Sequence, residues 1–456
     1  MLESKDKIKL EETKEKNIKP GLKVKLKTAN DSFEGIIIPS PEEETILLKL
    51  GSGYNVGFKT EDVIEIVEIK ESKESQKNNT DKKESNNLKS VSNTKNESLP
   101  TIVILHTGGT IASKVDYRTG AVASNFSPEE LLSMFPELGK IANIESELVA
   151  QMWSDDLRFS HLSLIGKTIE KWAAKKPKGM IIGMGTDNLA AAAAGLSFIV
   201  EKINIPIIFV GAQRSSDRGS SDASMNLICA AEFIAKTEFT GVAICMHSSE
   251  NDEWCNILPA NKTYKLHSSR RDAFQAVNSE AIAKINYLTK EIKFISKNYP
   301  LKETELLIKT KMEEKVALLK IHPNMFPEQF SIFKNFKGLV IEGTGLGHTP
   351  GQVPNPLCEI HRKIYPAIKE VMDSGCVIVM TTQCLFGGVN MNVYDKGRDL
   401  LDLGIIPGQD MLANTALMKL SWLLGNYTAD ETKKMMKVNL RGEINEKLQF
   451  EEEFLK

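Results

Sequence analysis

Two stretches of this chain put threonine hydroxyls directly after apolar runs. Thr101-Ile102-Val103-Ile104-Leu105 leads into Thr107-Gly108-Gly109-Thr110-Ile111, and Met180-Ile181-Ile182 leads into Gly185-Thr186-Asp187-Asn188 ahead of an alanine-rich segment. Open α/β sheets bind ligands in the crevice at the carboxyl ends of their parallel strands, so both motifs sit where chemistry is done. Gly108-Gly109 permits a tight turn and close approach to a ligand. The chemistry that fits is nucleophilic, because a threonine hydroxyl attacks an electrophilic carbon once a neighbour removes or orients its proton. Asp187 alone is a poor base for a hydroxyl; a lysine whose pKa is lowered by burial completes such a relay. Spacing does not select among the many lysines. The segment Lys265-Leu266-His267-Ser268-Ser269-Arg270-Arg271-Asp272-Ala273-Phe274 narrows the choice to Lys265, since it follows the apolar run 241–246 after a loop. Each motif also has a structural alternative: Thr110 or Asp187 as a helix cap, and 265–274 as a solvated basic run.

The elements that must position these groups are legible as continuous apolar runs at 205–210, 241–246, 338–341 and 376–380. Continuous rather than alternating apolar strands are expected of a parallel sheet covered by helices on both faces. Around 280 to 320 the pattern breaks into Lys/Glu-rich, hairpin-like strands. The reading is α/β, with a larger domain over 100–290, a connecting segment over 291–319, a smaller domain over 320–430, and a charged helical tail over 431–456. Ahead of these, short strands at 23–27, 33–38, 45–50 and 63–69, with turn residues at Gly51-Ser52-Gly53-Tyr54-Asn55-Val56-Gly57, predict a small SH3-like β-barrel over 18–70. Between barrel and large domain, 71–99 holds Lys, Glu, Ser and Asn without an aromatic residue. Such a segment buries too little apolar surface to offset its ordering entropy and reads as a flexible linker, spanning on the order of 30 Å as a coil.

Composition excludes several classes. The 456 residues carry a net charge of -2 and are 41% hydrophobic. No global basic field advertises nucleic acid or an anionic membrane. The six cysteines include no Cys-x-x-Cys pair, so buried reduced thiols are expected rather than disulfides or zinc ligation. The start of the chain lacks the apolar core of a signal peptide, and no apolar run approaches the ~20 residues that span a bilayer; a cytoplasmic protein is expected. His106 and His247 end strands near the proposed crevice without an assigned role, and the histidines show no metal-ligand spacing. A P-loop would place Gly-Lys-Ser/Thr after a longer glycine loop, and no lysine follows Gly109.

Thr107-Gly108-Gly109-Thr110-Ile111, Gly185-Thr186-Asp187 and Gly211-Ala212-Gln213-Arg214 together resemble the asparaginase family of amidohydrolases, in the expected order and over residues from about 100 to 430. The resemblance implies an asparaginase-like two-domain fold, larger domain first, with neither metal nor organic cofactor. Carried over by position, Thr110 matches the threonine assigned as nucleophile. Thr186, Asp187 and Lys265 match the second threonine, the aspartate and the lysine. Ser154 and Asp155, in Trp153-Ser154-Asp155-Asp156, match the groups that hold the substrate's α-amino and α-carboxyl groups, and Gly109 and Gly185 complete the implied substrate site.

The N-terminal barrel, Asp116-Tyr117-Arg118-Thr119-Gly120-Ala121-Val122, Ser269-Arg270-Arg271-Asp272-Ala273-Phe274, Glu342-Gly343-Thr344-Gly345-Leu346-Gly347-His348, Asn390-Met391-Asn392-Val393-Tyr394 and Pro407-Gly408-Gln409-Asp410-Met411-Leu412 resemble one branch of that family. Its members are the ammonia-producing subunits of archaeal glutamyl-tRNA(Gln) amidotransferases. The branch implies hydrolysis of asparagine or glutamine, and ammonia delivery to an E subunit. That subunit, with ATP and Mg, converts Glu-tRNA(Gln) to Gln-tRNA(Gln). It also implies tRNA contact mainly through the partner, and a homodimer within a heterotetramer. The alternatives are a free-standing metabolic asparaginase and a non-catalytic tRNA-binding scaffold. Departures from the family pattern are Met184 where histidine is common, Asn188 where threonine is usual, Ala413-Asn414-Thr415 in place of Pro-Glu-Thr, and the long linker.

Overall fold

The structure, a computed structural model, describes residues 21–29, 31–38, 40, 44–50, 55–69, 96–108, 114–116, 121–123, 131–132, 134–202, 204–214, 221–296, 299, 303 and 305–448. Gly109 and Thr110 lie outside the described residues, as does the linker from 71 to 95.

Near the N-terminus, Lys23–Thr28, Ser32–Ile38, Thr45–Leu50, Asn55–Lys59 and Val63–Glu68 form one antiparallel sheet in which the first strand pairs with both the second and the fifth. The alternation in the first strand turns Val24 and Leu26 inward and leaves Lys23, Lys25 and Lys27 exposed. Their partners in a small core are Ile37, Leu48, Phe58 and Val63, the arrangement expected of a barrel with a single apolar interior.

The large domain is built on an eight-stranded sheet in the order 292–294, 283–286, 254–259, 241–247, 206–210, 179–183, 101–106, 143–148. The last five are parallel to one another. Successive residues of the runs serve opposite faces: Val103 and Leu105 pack with helices Phe159–Ala173 and Leu189–Ile199 on one side, while Ile102 and Ile104 pack with helix Ala223–Lys236 on the other. The continuous apolar runs 205–210 and 241–246 pair in parallel, and Ala283–Asn286 with Ile292–Phe294 is a hairpin of the kind read from the Lys/Glu-rich pattern after 280. Antiparallel pairing begins at Trp254–Pro259, where the six residues after Gly241–His247 are too few for a parallel crossover, and continues through Ala283–Asn286 and Ile292–Phe294.

Neighbouring strands Thr101–His106 and Gly179–Gly183 send their connections in opposite directions, the first to Asn143–Leu148 at one edge, the second to Pro206–Val210 toward the other. Such a reversal opens a crevice at the carboxyl ends of the two strands. Both threonine motifs leave the sheet there.

The smaller domain is a four-stranded parallel sheet, Val316–Lys320, Gly338–Gly343, Val377–Thr382 and Ile406–Pro407, in sequence order. Helix Ala413–Asn426 joins the two domains: it packs on Leu189–Ile199 and on the small sheet, and Trp422 stacks on Phe198 at 6.1 Å. Close approach depends on Gly195, where a Cβ would stand 2.7 Å from Leu162 Cδ1 and 3.2 Å from Met418 Sδ. Two buried ion pairs reinforce the joint. Lys262 Nζ lies 2.6 Å from Asp410 Oδ2, and Lys419 Nζ 2.6 Å from Glu443 Oε1. Burial pushes both ammonium groups below the usual lysine range, against the pull of Asp410 and Glu443.

Three boundaries move. Asn96, expected in the linker, is tied to the large domain: its N–H donates to Asn143 Oδ1, and Asn143 Nδ2 donates back to Asn96 O, each at 2.9 Å. The expected connecting segment contributes sheet strands at both ends, Ile292–Phe294 to the large sheet and Val316–Lys320 to the small one. In the described part of the tail the helix ends at Met435 and residues 436–448 form turns and bends instead, while 449–456 lie outside the described residues. Glu443 explains the change, since its carboxylate accepts from the N–H groups of Leu440 and Arg441 while pairing with Lys419, and Met436 and Ile444 are buried. No described helix is long and apolar enough to cross a membrane.

Removing one partner of a buried ion pair leaves an uncompensated charge and costs about 3–5 kcal/mol. Asp410→Ala is expected to lower stability by that amount in chemical denaturation; a loss under ~1 kcal/mol would contradict the structural role given to the pair.

Candidate active site

After strand Gly179–Gly183 the chain turns sharply through Met184 and Gly185. Met184 is buried, its N–H donating to Val210 O at 3.1 Å. Gly185 lies against Ser154: a Cβ there would come within 2.9 Å of Ser154 Oγ and 3.0 Å of Ser154 Cβ. The same contact brings the Asp187 N–H to Ser154 Oγ at 3.1 Å and Asn188 Nδ2 to Ser154 O at 2.8 Å. Ser154 is therefore buried and fixed on the 3-10 turn Ser154–Asp156, with Asp155 exposed beside it.

The capping alternative for Asp187 does not hold. The helix is Leu189–Ile199, its N-cap is Asn188, and no side chain caps it. Asp187 instead faces Lys265, with Oδ1 2.9 Å from Nζ. The same ammonium donates to Thr186 Oγ1, also at 2.9 Å. Lys265 arrives at the end of strand Thr263–Lys265, which pairs with Phe274–Ala276. Its side chain is 15% exposed against 66% for Asp187, so the lysine, not the carboxylate, is the sheltered member. Three groups expected from sequence thus meet in one cluster, with Ser154 and Gly185 adjoining it through Asp187. Gly108, with a left-handed φ of 90°, lies just beyond the neighbouring strand.

Two polar residues that sequence reasoning left without a role belong to the cluster. Asn188 holds the Ser154 turn. Gln213 accepts from the Thr186 hydroxyl through Oε1 at 3.5 Å. The 211–214 segment stands out as a motif in sequence, but nothing in its spacing separates a side chain aimed at Thr186 from a turn residue.

Behind the 211–214 segment lies a buried polar network. Asp222 accepts the N–H groups of Gln213 and Arg214, each at 3.0 Å, and Asn226 Nδ2 donates to Asp222 and to Gly211 O. His247 donates through Nδ1 to Asn226 Oδ1 at 2.6 Å, with Nε2 3.3 Å from Asp252. Arg271 also engages Asp252 and Glu250, while Arg270 makes a bidentate pair with Asp272. The basic pair of the 265–274 segment is thus bound to carboxylates of its own chain. Among the described residues no cluster of His, Cys, Asp or Glu has the makings of a metal site.

The same arrangement of domains and motifs occurs in known proteins. The profile described as "Asparaginase, N-terminal" matches residues 101–299, "Glutaminase/Asparaginase C-terminal domain" matches 315–436, and "GatD N-terminal domain" matches 18–69. Proteins named as the D subunit of glutamyl-tRNA(Gln) amidotransferase are 42% identical in Archaeoglobus fulgidus and in Pyrococcus furiosus, each alignment covering 94% of this chain and 96% of the relative. The chain belongs to the family of glutamyl-tRNA(Gln) amidotransferase D subunits. The protein titled "The thermostable L-asparaginase from Thermococcus kodakarensis" superposes with a TM-score of 0.66 at 29% identity, over 76% of this chain and 100% of that one. L-asparaginase I from Vibrio cholerae gives 0.64 at 26%, with the same coverage. The barrel-bearing family is thus an asparaginase-type amidohydrolase fold with a domain added in front.

The network carries a pH signature. Burial pushes the His247 imidazole below its ordinary value, although Asp222 and Asp252 pull the other way. Below about pH 6.5 the unfolded chain binds a proton that the native state withholds, so stability falls as pH falls through that window. Denaturation between about pH 8 and pH 5 should show this decline, and His247→Gln should flatten it; an equal slope in the variant would remove His247 as its source.

Proposed function

We propose that the chain is the ammonia-generating subunit of a tRNA-dependent amidotransferase. It hydrolyses the side-chain amide of asparagine or glutamine and passes the ammonia to an E-subunit partner. There, ATP and Mg drive conversion of Glu-tRNA(Gln) to Gln-tRNA(Gln), and this chain itself requires no cofactor. The observation that carries the reading is the Lys265 ammonium at 2.9 Å from both Thr186 Oγ1 and Asp187 Oδ1, set at the crevice where the sheet reverses direction.

In the proposed reaction the Thr110 hydroxyl attacks the amide carbon. Its proton passes through Thr186 to Lys265 in its neutral form, and Asp187 stabilises the ammonium that results. The tetrahedral intermediate expels the amide nitrogen as ammonia after protonation, and water then cleaves the acyl-threonine. Backbone N–H groups of the Gly108-Gly109 turn serve as oxyanion donors, each worth about 3 kcal/mol. Ser154 and Asp155 hold the substrate's α-amino and α-carboxyl groups. The roles of Thr110 and Gly109 rest on the family pattern, that of the 186–187–265 cluster also on its geometry. Within the assembly two copies of this chain pair and each associates with a partner subunit, tRNA being held mainly by the partner, in the cytoplasm.

Ammonia release from asparagine and from glutamine, measured alone and with the E subunit plus Glu-tRNA(Gln), tests the reading. Stimulation by partner and charged tRNA is expected. Full activity indifferent to both would identify a free-standing asparaginase. Lys265→Met should reduce release by about 10²–10⁴-fold, the usual contribution of a positioned acid–base group; near-wild-type release would remove the relay.

A further inference from the structure

Thr186 Oγ1 has one hydrogen and two lone pairs. One lone pair accepts from Lys265 Nζ at 2.9 Å. While Lys265 is an ammonium, the hydroxyl hydrogen must find an acceptor elsewhere, and among the described residues the acceptor in reach is Gln213 Oε1 at 3.5 Å. That distance is long for a settled hydrogen bond, and catalytic hydrogen bonds often stand loose in the unliganded state and tighten with substrate.

The surrounding structure holds Gln213 there. The buried Asp222 carboxylate takes the backbone N–H groups of both Gln213 and Arg214 at 3.0 Å, which fixes where the Gln213 side chain begins. Gly211 removes the Cβ that would otherwise stand 2.9 Å from Thr186 Cγ2 and 2.7 Å from Leu189 Cδ1, and so lets the 211–214 segment lie against the threonine. Gln213 Nε2 is buried with no hydrogen-bond partner among the described residues. A side chain whose donor goes unpaired while its acceptor meets a relay hydroxyl is placed for the acceptor.

We propose that Gln213 is a positioning residue for amide hydrolysis: its Oε1 receives the Thr186 hydroxyl hydrogen, leaving the second lone pair of Thr186 turned outward to accept the nucleophile's proton. When Lys265 becomes a neutral amine, the hydrogen swings from Gln213 to Lys265 Nζ, and the relay is connected. No bond other than hydrogen bonds forms or breaks at Gln213. The inference rests on the amidase reading above and adds the group that sets the direction of its relay.

The titratable side chains around Lys265 are Tyr264 and His267 on its own segment, Asp187 in its ion pair, Asp155 and Asp156 on the Ser154 turn that adjoins Asp187, and Arg214; its strand partner Phe274–Ala276 carries none. Two variants of the full chain, assayed with the partner and charged tRNA, separate positioning from packing. Gln213→Met keeps the shape and loses the acceptor; kcat is expected to fall about tenfold, with KM within about twofold of wild type, the pattern of an interaction made in the transition state. Gln213→Glu keeps the acceptor and adds a negative charge that favours the ammonium, so the rising limb of its pH–rate profile should move about one unit to higher pH, with kcat recovered on the plateau. Wild-type kcat in Gln213→Met, a raised KM with kcat kept, or no recovery by Gln213→Glu in variants that melt like wild type would overturn the role. Loss of folding in Gln213→Met with an unshifted profile in Gln213→Glu would also overturn it. An inactive wild type would sink the amidase reading itself, and this inference with it.

Discussion

The ammonium of Lys265 has to sit against Thr186 and Asp187, and they lie 79 and 78 residues earlier in the chain. A single charge on a flexible four-carbon stem is poorly positioned unless its backbone is fixed. The hairpin that carries it is pinned three residues upstream, where Lys262 forms a buried ion pair with Asp410 of the small domain and the Val277 N–H donates to Lys262 O. Thr415 of the joining helix donates to Asn261 O beside it. The small domain thus fixes the base of the hairpin from behind, through residues that need not touch substrate.

On the other side of the cluster, the constraint is room. Thr186 reaches its partners because Gly185 and Gly211 yield space to Ser154 and to Thr186 itself. The polar groups freed by these tight turns are not left bare. Asp222, Asn226 and His247 satisfy the 211–214 segment from within the core. Buried polar groups are costly unless paired, and the pairing of Asp222 and Asn226 with one another and with the 211–214 backbone makes them a rigid support.

Much of this was legible in the residues. Continuous apolar runs located the central strands to within two residues at each end, because a doubly covered sheet demands apolar side chains on both faces. The barrel was legible from alternation, as at Val24 and Leu26. The hairpin after 280 was legible from its charged pattern, but the reversal at Trp254–Pro259 was not, since Asn256 interrupts its apolar run and strand direction leaves no mark on composition. Nor was the fate of the tail: Glu443 reads as one more solvated charge until Lys419 is found facing it. In the site, a turn aspartate before a helix suits a cap and a relay equally, and only the Lys265 contact separates them for Asp187. Gln213 and Asn188 were missed because amides next to turns are common. Thr110 was assigned from the family pattern.

The most direct test of the account is to ask which side chain becomes covalently modified and what activates it. The protein would be treated with a diazoketone analogue of asparagine or glutamine, an electrophile that alkylates the attacking oxygen with loss of dinitrogen, and the adduct located by peptide mass mapping. The account predicts a single adduct on Thr110 that forms in the wild type and fails to form in Lys265→Met. An adduct on another residue, or labelling of Thr110 that is indifferent to Lys265, would contradict it.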